Sequence, residues 1–81
     1  MQLTKKQLDA IKEQYKLSPR ETQIVELILK GVDSNAEIAE NLGLSTGTVK
    51  QYVHVLFARF HINSKTKLVL TIVDSIHKNH S

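Results

Sequence analysis

The sequence contains no cysteine, so it offers neither a disulfide framework nor a thiolate nucleophile. None of its apolar runs approaches the roughly 18 residues that a membrane-spanning helix needs. Residues 1–6 lack the long apolar segment of a secretory signal peptide. We therefore expect a soluble cytoplasmic protein without a membrane partner, whose 81 residues form one domain around a single modest core.

Signs of catalysis are also missing. The sequence has no glycine-rich phosphate loop and no paired carboxylates, so we expect no enzymatic activity and no cofactor. His77 and His80 have a spacing that suits a pair of metal ligands, but no further ligands lie near them in the sequence. Because zinc prefers four well-placed ligands, we expect no metal site.

Charge is unevenly distributed along the chain, although the net charge is only +3. Residues 1–44 contain six lysines and arginines and seven acidic residues. Residues 45–81 contain five lysines and arginines, one acidic residue and all four histidines. A basic half suits an anionic partner, while charge alone is equally compatible with an ordinary solvated surface.

Signals for strands are nearly absent, whereas signals for helix starts recur. Pro19 follows one of these starts and suits the first position of a helix. Gly31 and Gly43 are natural C-terminal stops. The expected N-caps are Thr4, Ser18, Ser34 and Ser45, and the first three are followed three residues later by Gln7, Glu21 and Glu37, as in a capping box.

These signals predict an all-α protein with five helices. We expect one amphipathic N-terminal helix within residues 1–16 and four helices in a domain at 17–77, followed by a polar, fraying tail at 78–81. The fourth predicted helix should run to about Phe60 and the last from about Lys65 to His77. The fourth helix carries an apolar stripe that we expect in the core, consisting of Val49, Val53, Leu56, Phe57 and Phe60.

The third and fourth predicted helices are joined by only Gly43, Leu44 and Ser45. A short helix and a longer one joined by such a turn are typical of a helix-turn-helix, whose second helix enters the major groove of DNA. The fourth helix begins with small residues, and its free N–H groups and dipole attract an anion. We therefore expect the hydroxyls of Ser45, Thr46 and Thr48 to bind phosphate; Ser45 would cap the helix in either case.

The opposite face of this helix is polar. Lys50, Gln51 and His54 lie on one outward arc, where Lys can bond guanine and Gln can bond adenine. Arg59 lies further along the helix and suits a backbone phosphate. His54 alone would be an ordinary surface histidine, and its case rests on its place one turn after Lys50.

The last helix has more apolar residues than one core-facing stripe can use. Leu68 and Ile72 should face the core. Val69, Val73 and Ile76 form an adjacent stripe, which we expect to be the interface of a homodimer. The alternative is that the N-terminal helix folds over this stripe and buries it within the monomer.

Three segments together resemble the LuxR/NarL-type (GerE-like) DNA-binding domain. They are "LSPRETQIVELILKG" at 17–31, "EIAENLGLSTGTVKQYV" at 37–53 and "NSKTKLV" at 63–69. The resemblance implies a four-helix domain that binds double-stranded DNA and dimerises through its last helix. By position it implies base contacts for Lys50, Gln51 and His54, and it places Thr46, Thr48, Tyr52 and Lys65 near phosphates.

The sequence departs from the family pattern at four places. Asp33 is one extra residue between Gly31 and Glu37. Ala36 replaces a Lys that is frequent in the family, and Lys65 replaces the usual Arg. Tyr52 stands where His is common. Together these changes predict weaker phosphate anchoring than in a typical member. Because only residues 1–16 precede the matching region, the chain resembles the short stand-alone regulators of the family.

Two functions follow from the sequence. The first is a sequence-specific transcription regulator of a bacterial nucleoid, with RNA polymerase or a related regulator as a candidate protein partner. The second is a protein-interaction module that pairs with a full-length LuxR-type regulator and inhibits it. The shared face of Lys50, Gln51 and His54 favours the first.

Overall fold

The computed structural model describes residues 3–80, with side chains as far as Lys78. Over this range the chain forms five α-helices and no strand, which confirms the predicted all-α fold of four helices preceded by an additional one. The last helix continues three residues past its predicted end at His77, so residues 78–80 belong to the helix. The helices are α1 (Lys5–Gln14), α2 (Pro19–Leu29), α3 (Asn35–Leu42), α4 (Thr46–Phe60) and α5 (Lys65–His80).

The first two helices begin with complete capping boxes. Thr4 Oγ1 accepts the backbone N–H of Gln7 at 3.1 Å, and Gln7 Oε1 accepts that of Thr4 at 3.0 Å. Ser18 and Glu21 form the same pair of bonds at 3.1 and 2.8 Å, with Pro19 at the first helical position. Each box satisfies two backbone donors that would otherwise lack a partner, which confirms both predicted starts.

Four helices end in the same way, with one residue in the left-handed conformation. The apolar residue that follows donates its backbone N–H to the carbonyl five residues earlier, at 2.9–3.0 Å, and packs into or against the core. Two of the left-handed residues are not glycine, although this conformation costs an L-residue about 1–2 kcal/mol. The four residues are Lys16, Gly31, Gly43 and His61.

The core lies between α2 and α4, which pack against each other; α5 packs against both, α1 packs against α2, and α3 packs against α4. Phe57, which we expected in the core, lies at its edge and is only partly buried. The buried apolar residues are Ile11, Leu17, Ile24, Val25, Ile28, Leu29, Ile38, Ala39, Val49, Val53, Leu56, Phe60, Leu68 and Ile72.

The N-terminal helix is an integral part of this domain. Ile11 is 1% exposed, and the Tyr15 ring stacks on Phe60 with 4.1 Å between the ring centroids. The hydroxyl of Ser75 on α5 donates to Gln14 Oε1 at 2.9 Å. Ser75 and Val73 are two residues apart, which is about 200° around a helix. The contact at Ser75 therefore places α1 on the side of α5 that faces away from Val73.

Candidate nucleic-acid interface

The turn between α3 and α4 is short and well defined. Gly43 takes the left-handed conformation with φ +68°, and the backbone N–H of Leu44 donates a hydrogen bond to the carbonyl of Ala39 at 2.9 Å. Ser45 then caps α4. Because α3 ends and α4 begins within three residues, the two helices pack tightly in a helix-turn-helix arrangement that leaves the start of α4 at the surface.

The N-terminus of α4 carries two hydroxyls in contact with each other. Ser45 Oγ accepts the backbone N–H of Thr48 at 3.1 Å and donates its own proton to Thr48 Oγ1 at 2.9 Å. Ser45 is thus engaged as a cap, whereas Thr48 Oγ1 acts as an acceptor. Thr46, at the first helical position, is exposed.

Gly47 occupies the first turn of α4 without a structural need for glycine. Its φ is not positive, and a Cβ built at this position would meet no heavy atom within 4 Å. Glycine inside a helix costs about 1 kcal/mol relative to alanine. Neither the backbone nor the packing therefore requires glycine at this position, and its missing side chain leaves the first turn of α4 uncovered.

The outward arc of α4 brings together the three predicted base-reading residues. Lys50, Gln51 and His54 are all exposed and lie within about 100° of one another around the helix. Val55 follows Gln51 by one turn and is 46% exposed. A shallow groove of about 450 Å³ runs between this arc and the start of α2, and is lined by Ser18, Glu21, Thr48, Gln51, Tyr52 and Val55.

Two further residues predicted to contact phosphate are partly buried. Tyr52 packs against the core and also lines the groove. Lys65 is the first residue of α5, where Ser64 Oγ accepts the backbone N–H of Lys67 at 3.1 Å. Tyr52 therefore lies in the groove beside the outward arc of α4, whereas Lys65 lies at the start of α5.

Arg59 points toward the protein. Its Nη1 donates to Glu21 Oε1 at 2.8 Å and to the backbone carbonyl of Lys16 at 3.3 Å. The Arg59 side chain is 35% exposed and that of Glu21 only 7%. The residue that we expected at a phosphate is thus an ion-pair partner within the fold, and its phosphate contact stays a prediction. Sequence patterns did not reveal this pair, because its members lie 38 residues apart.

Glu21 is the only acidic residue that is buried in the part of the chain that the structure describes. Its pKa lies below the ordinary value of 4.5. Burial alone would raise this pKa. The hydrogen bond from the Ser18 backbone N–H and the bond and charge of Arg59 outweigh that effect and hold the pKa down. Glu21 is therefore ionised at neutral pH, and it both caps α2 and anchors Arg59.

The α5 stripe predicted as an interface is partly used by the core. Val69, Val73 and Ile76 are all half-buried, and Val69 and Ile76 pack against the core. Leu70 is 62% exposed, the most exposed large apolar side chain in the part of the chain that the structure describes. Sequence reasoning missed Leu70. The signal was present, because Leu70 follows the core residue Leu68 by two positions and so faces away from the core.

Neither a metal site nor a membrane segment is visible in the described residues. No group of three or more histidine, cysteine or acidic side chains in this range is placed to hold a metal ion. The side chain of His80, one of the two histidines with suggestive spacing, lies outside the described part. None of the helices described is long and apolar enough to cross a bilayer.

Comparison with known proteins gives one family and several relatives. Residues 15–72 match the family described as "Bacterial regulatory proteins, luxR family". The two-component response regulator PprB of Pseudomonas aeruginosa is 39% identical over 57 residues, which are 70% of this chain and 20% of PprB. A protein of Escherichia coli K12 named "Putative HTH-type transcriptional regulator YhjB" is 34% identical over 62 residues, 76% of this chain and 30% of that protein.

The chain therefore spans between a fifth and a third of the length of these two relatives. No solved structure matches it significantly.

The Glu21–Arg59 ion pair makes stability depend on pH. Because the folded-state pKa of Glu21 is lowered, its carboxylate stabilises the fold above its unfolded-state pKa, and this contribution is lost as pH falls through the lower folded-state value. We expect Glu21→Gln to lower the free energy of unfolding at pH 7 by about 1–2 kcal/mol, since Arg59 is one-third exposed.

Urea unfolding of wild type and variant at several pH values measures this effect. The difference between the two proteins should shrink below about pH 4.5 and vanish in stronger acid. The exposed Glu13→Gln is the matched control and should change stability little at any pH. A Glu21→Gln deficit of constant size between pH 7 and pH 3 would show that the ionised pair is not its cause.

Proposed function

The chain belongs to the luxR family of bacterial regulatory proteins, and on that premise we propose that it is a sequence-specific DNA-binding transcription regulator. The observation that carries the proposal is the outward arc of α4. Three exposed side chains able to bond base edges follow a helix start that is open because residue 47 is glycine. A regulator of this kind works on the chromosome, so we place it in the bacterial cytoplasm.

We propose that α4 enters the major groove with its N-terminal half toward the bases. Lys50 bonds guanine O6 and N7, and Gln51 bonds adenine N6 and N7. His54, one turn after Lys50, reads a neighbouring position. Their exposure supports these roles, because none of the three is needed for the core.

Phosphates flanking the groove are held by a second set of groups. The free N–H groups at the start of α4 and the hydroxyls of Thr46 and Thr48 suit one phosphate. Ser45 contributes as the cap that orients Thr48. We propose backbone contacts for Tyr52 and Lys65 on either side of the groove.

The protein is proposed to pair as a homodimer through α5. The pairing surface joins Val69, Val73 and Ile76 with the more exposed Leu70. The contact of α1 with Ser75 lies on the side of α5 away from Val73, and Leu70 is the exposed part of the surface. A two-fold pairing would place two copies of α4 for half-sites about one DNA turn apart, roughly 34 Å.

An inhibitory interaction module is the less favoured function. It would need only the α5 surface and would leave the open arc of α4 without a purpose.

The comparison does not point to an enzyme, since the matched family consists of regulatory proteins. RNA polymerase or a related regulator stays a candidate further partner.

Lys50→Ala tests the reading role directly. If Lys50 makes a bidentate contact with guanine, the variant should bind its selected DNA about 1–3 kcal/mol more weakly and lose preference at one base pair of each half-site. Selection from a random duplex pool, followed by sequencing, measures this preference. Lys12→Ala, an exposed lysine on α1, is the control. Absence of any enriched sequence with the unmodified protein would overturn the proposed function.

Gly47→Leu separates folding from binding. A Cβ at this position meets no heavy atom within 4 Å and leucine improves helix propensity, so the free energy of unfolding should rise by roughly 0.5–1 kcal/mol. Binding to the selected duplex should nevertheless fall at least about tenfold, because the side chain blocks close approach of DNA. Thermal unfolding and a gel-shift titration measure the two effects. A variant that is more stable and binds as before would place Gly47 off the interface.

Leu70→Asp and Val73→Asp test the dimer. Leu70 is mostly exposed, so its variant should fold normally while losing both self-association in sedimentation and cooperative binding to a duplex with two half-sites. Val55→Asp, an equally drastic change at an exposed valine of α4, should leave self-association unaltered. Unchanged sedimentation of both α5 variants relative to wild type would rule out this surface as the interface.

A further inference from the structure

The C-terminal end of α4 is held by the junction between α1 and α2. Arg59 bonds Glu21 at 2.8 Å and the Lys16 carbonyl at 3.3 Å, both through Nη1. Next to it, Phe60 stacks on the Tyr15 ring with 4.1 Å between centroids and 29° between planes. Two adjacent residues of α4 are therefore attached to one short segment that closes α1 and begins α2.

This junction is itself firmly constrained. Glu21 Oε1 accepts the Ser18 N–H at 2.8 Å in addition to the bond from Arg59, and Thr22 Oγ1 donates to the Ser18 carbonyl at 2.9 Å. Lys16 takes a left-handed conformation that turns the chain between the two helices. Leu17, 5% exposed, fixes the turn to the core. The groups that hold α4 are thus themselves held by hydrogen bonds and burial.

The position of the junction depends on α1. Tyr15 is the C-cap of α1, and its N–H bonds the carbonyl of Ile11, which is 1% exposed. Gln14 also accepts the Ser75 hydroxyl of α5. Residues 5–14 lie outside the region matched to the luxR family, so the helix that positions Tyr15 is an addition to the shared domain.

We infer that α1 is a positioning element for the reading helix, with Tyr15 and the Lys16 carbonyl setting the orientation of α4 through Phe60 and Arg59. The inference rests on the proposed function of α4. Lys50 and His54 lie nine and five residues from Arg59, about 13 and 8 Å along the helix. If α4 tilts by roughly 5° about its C-terminal end, Lys50 therefore moves by about 1 Å. This displacement exceeds the ~0.5 Å tolerance of a well-aligned site.

The positioning role of Arg59 is the alternative to the phosphate contact that the sequence predicted for it, and the two roles have different signatures. A phosphate contact releases counterions, so its loss lowers affinity for every sequence and reduces the salt dependence of binding by about one unit. A lost positioning contact misaligns hydrogen bonds to bases, so it lowers affinity for the selected sequence alone. Because Arg59 uses a single nitrogen for both of its bonds, a lysine can replace it as a positioning residue.

The experiment uses the full chain and two matched pairs of variants. Tyr15→Leu removes the ring stack, whereas Tyr15→Phe keeps it. Arg59→Met removes the ion pair, whereas Arg59→Lys keeps one donor. Each variant is titrated, over a range of salt concentrations, with the best duplex that the unmodified protein selects from a random pool and with a mixed-sequence duplex. Thermal unfolding followed by circular dichroism ensures that binding is measured where every variant is folded.

We expect Tyr15→Leu and Arg59→Met to lose affinity for the selected duplex by roughly tenfold, the effect of one misaligned base contact. Their affinity for the mixed-sequence duplex and their salt slope should stay at wild-type values. Tyr15→Phe and Arg59→Lys should retain the full ratio of specific to mixed-sequence affinity. Lys65→Ala, a proposed phosphate contact, is the control that should lose salt slope.

Several results would overturn the inference. An Arg59→Met salt slope lower by about one unit would make Arg59 a phosphate contact. A lower unfolding temperature with an unchanged affinity ratio in both Tyr15→Leu and Arg59→Met would make the junction merely structural. If Tyr15→Leu does not fold, the Arg59 pair alone decides between these outcomes. Absence of sequence preference in the unmodified protein would overturn the proposed function, and this inference with it.

Discussion

The burial of one face of α4 is the constraint on which the rest of the molecule depends. The side chains of Val49, Val53, Leu56 and Phe60 recur at three- and four-residue intervals and are all buried. They contribute to the core between α2 and α4, onto which α5 also packs. Because a helix presents its opposite arc outward whenever one arc is buried, the same pattern forces Lys50, Gln51 and His54 into solvent.

The two ends of α4 meet different requirements. Its N-terminus is open: Ser45 caps it, and Gly47 leaves the backbone uncovered. Its C-terminus is closed by Arg59 and Phe60, which contact the junction of α1 and α2. This asymmetry suits the proposed reading of DNA by α4, because the end proposed to meet DNA is accessible while the other end fixes the direction of the helix. Glu21 connects α2 with α4, because its carboxylate caps α2 and also pairs with Arg59 of α4.

Much of the fold was predictable because its signals are local. The capping boxes at Thr4 and Ser18 close within three residues, and the stops at Gly31 and Gly43 need only the conformational freedom of glycine. Such interactions act before any tertiary contact forms, so their residues can be read directly from the chain. The exposed arc of α4 was predictable in the same way, from the period of the apolar residues.

The sequence by itself therefore determined the five helices, their starts, the core-facing arc of α4 and the family. Only the tertiary structure decided where α1 lies, that Arg59 pairs with Glu21 across 38 residues, and that Leu70 is more exposed than the valines beside it. It also showed that Lys16 and His61 end helices without glycine. These features depend on the angles at which whole helices pack, and many distant side chains set those angles together, so no short stretch of sequence encodes them.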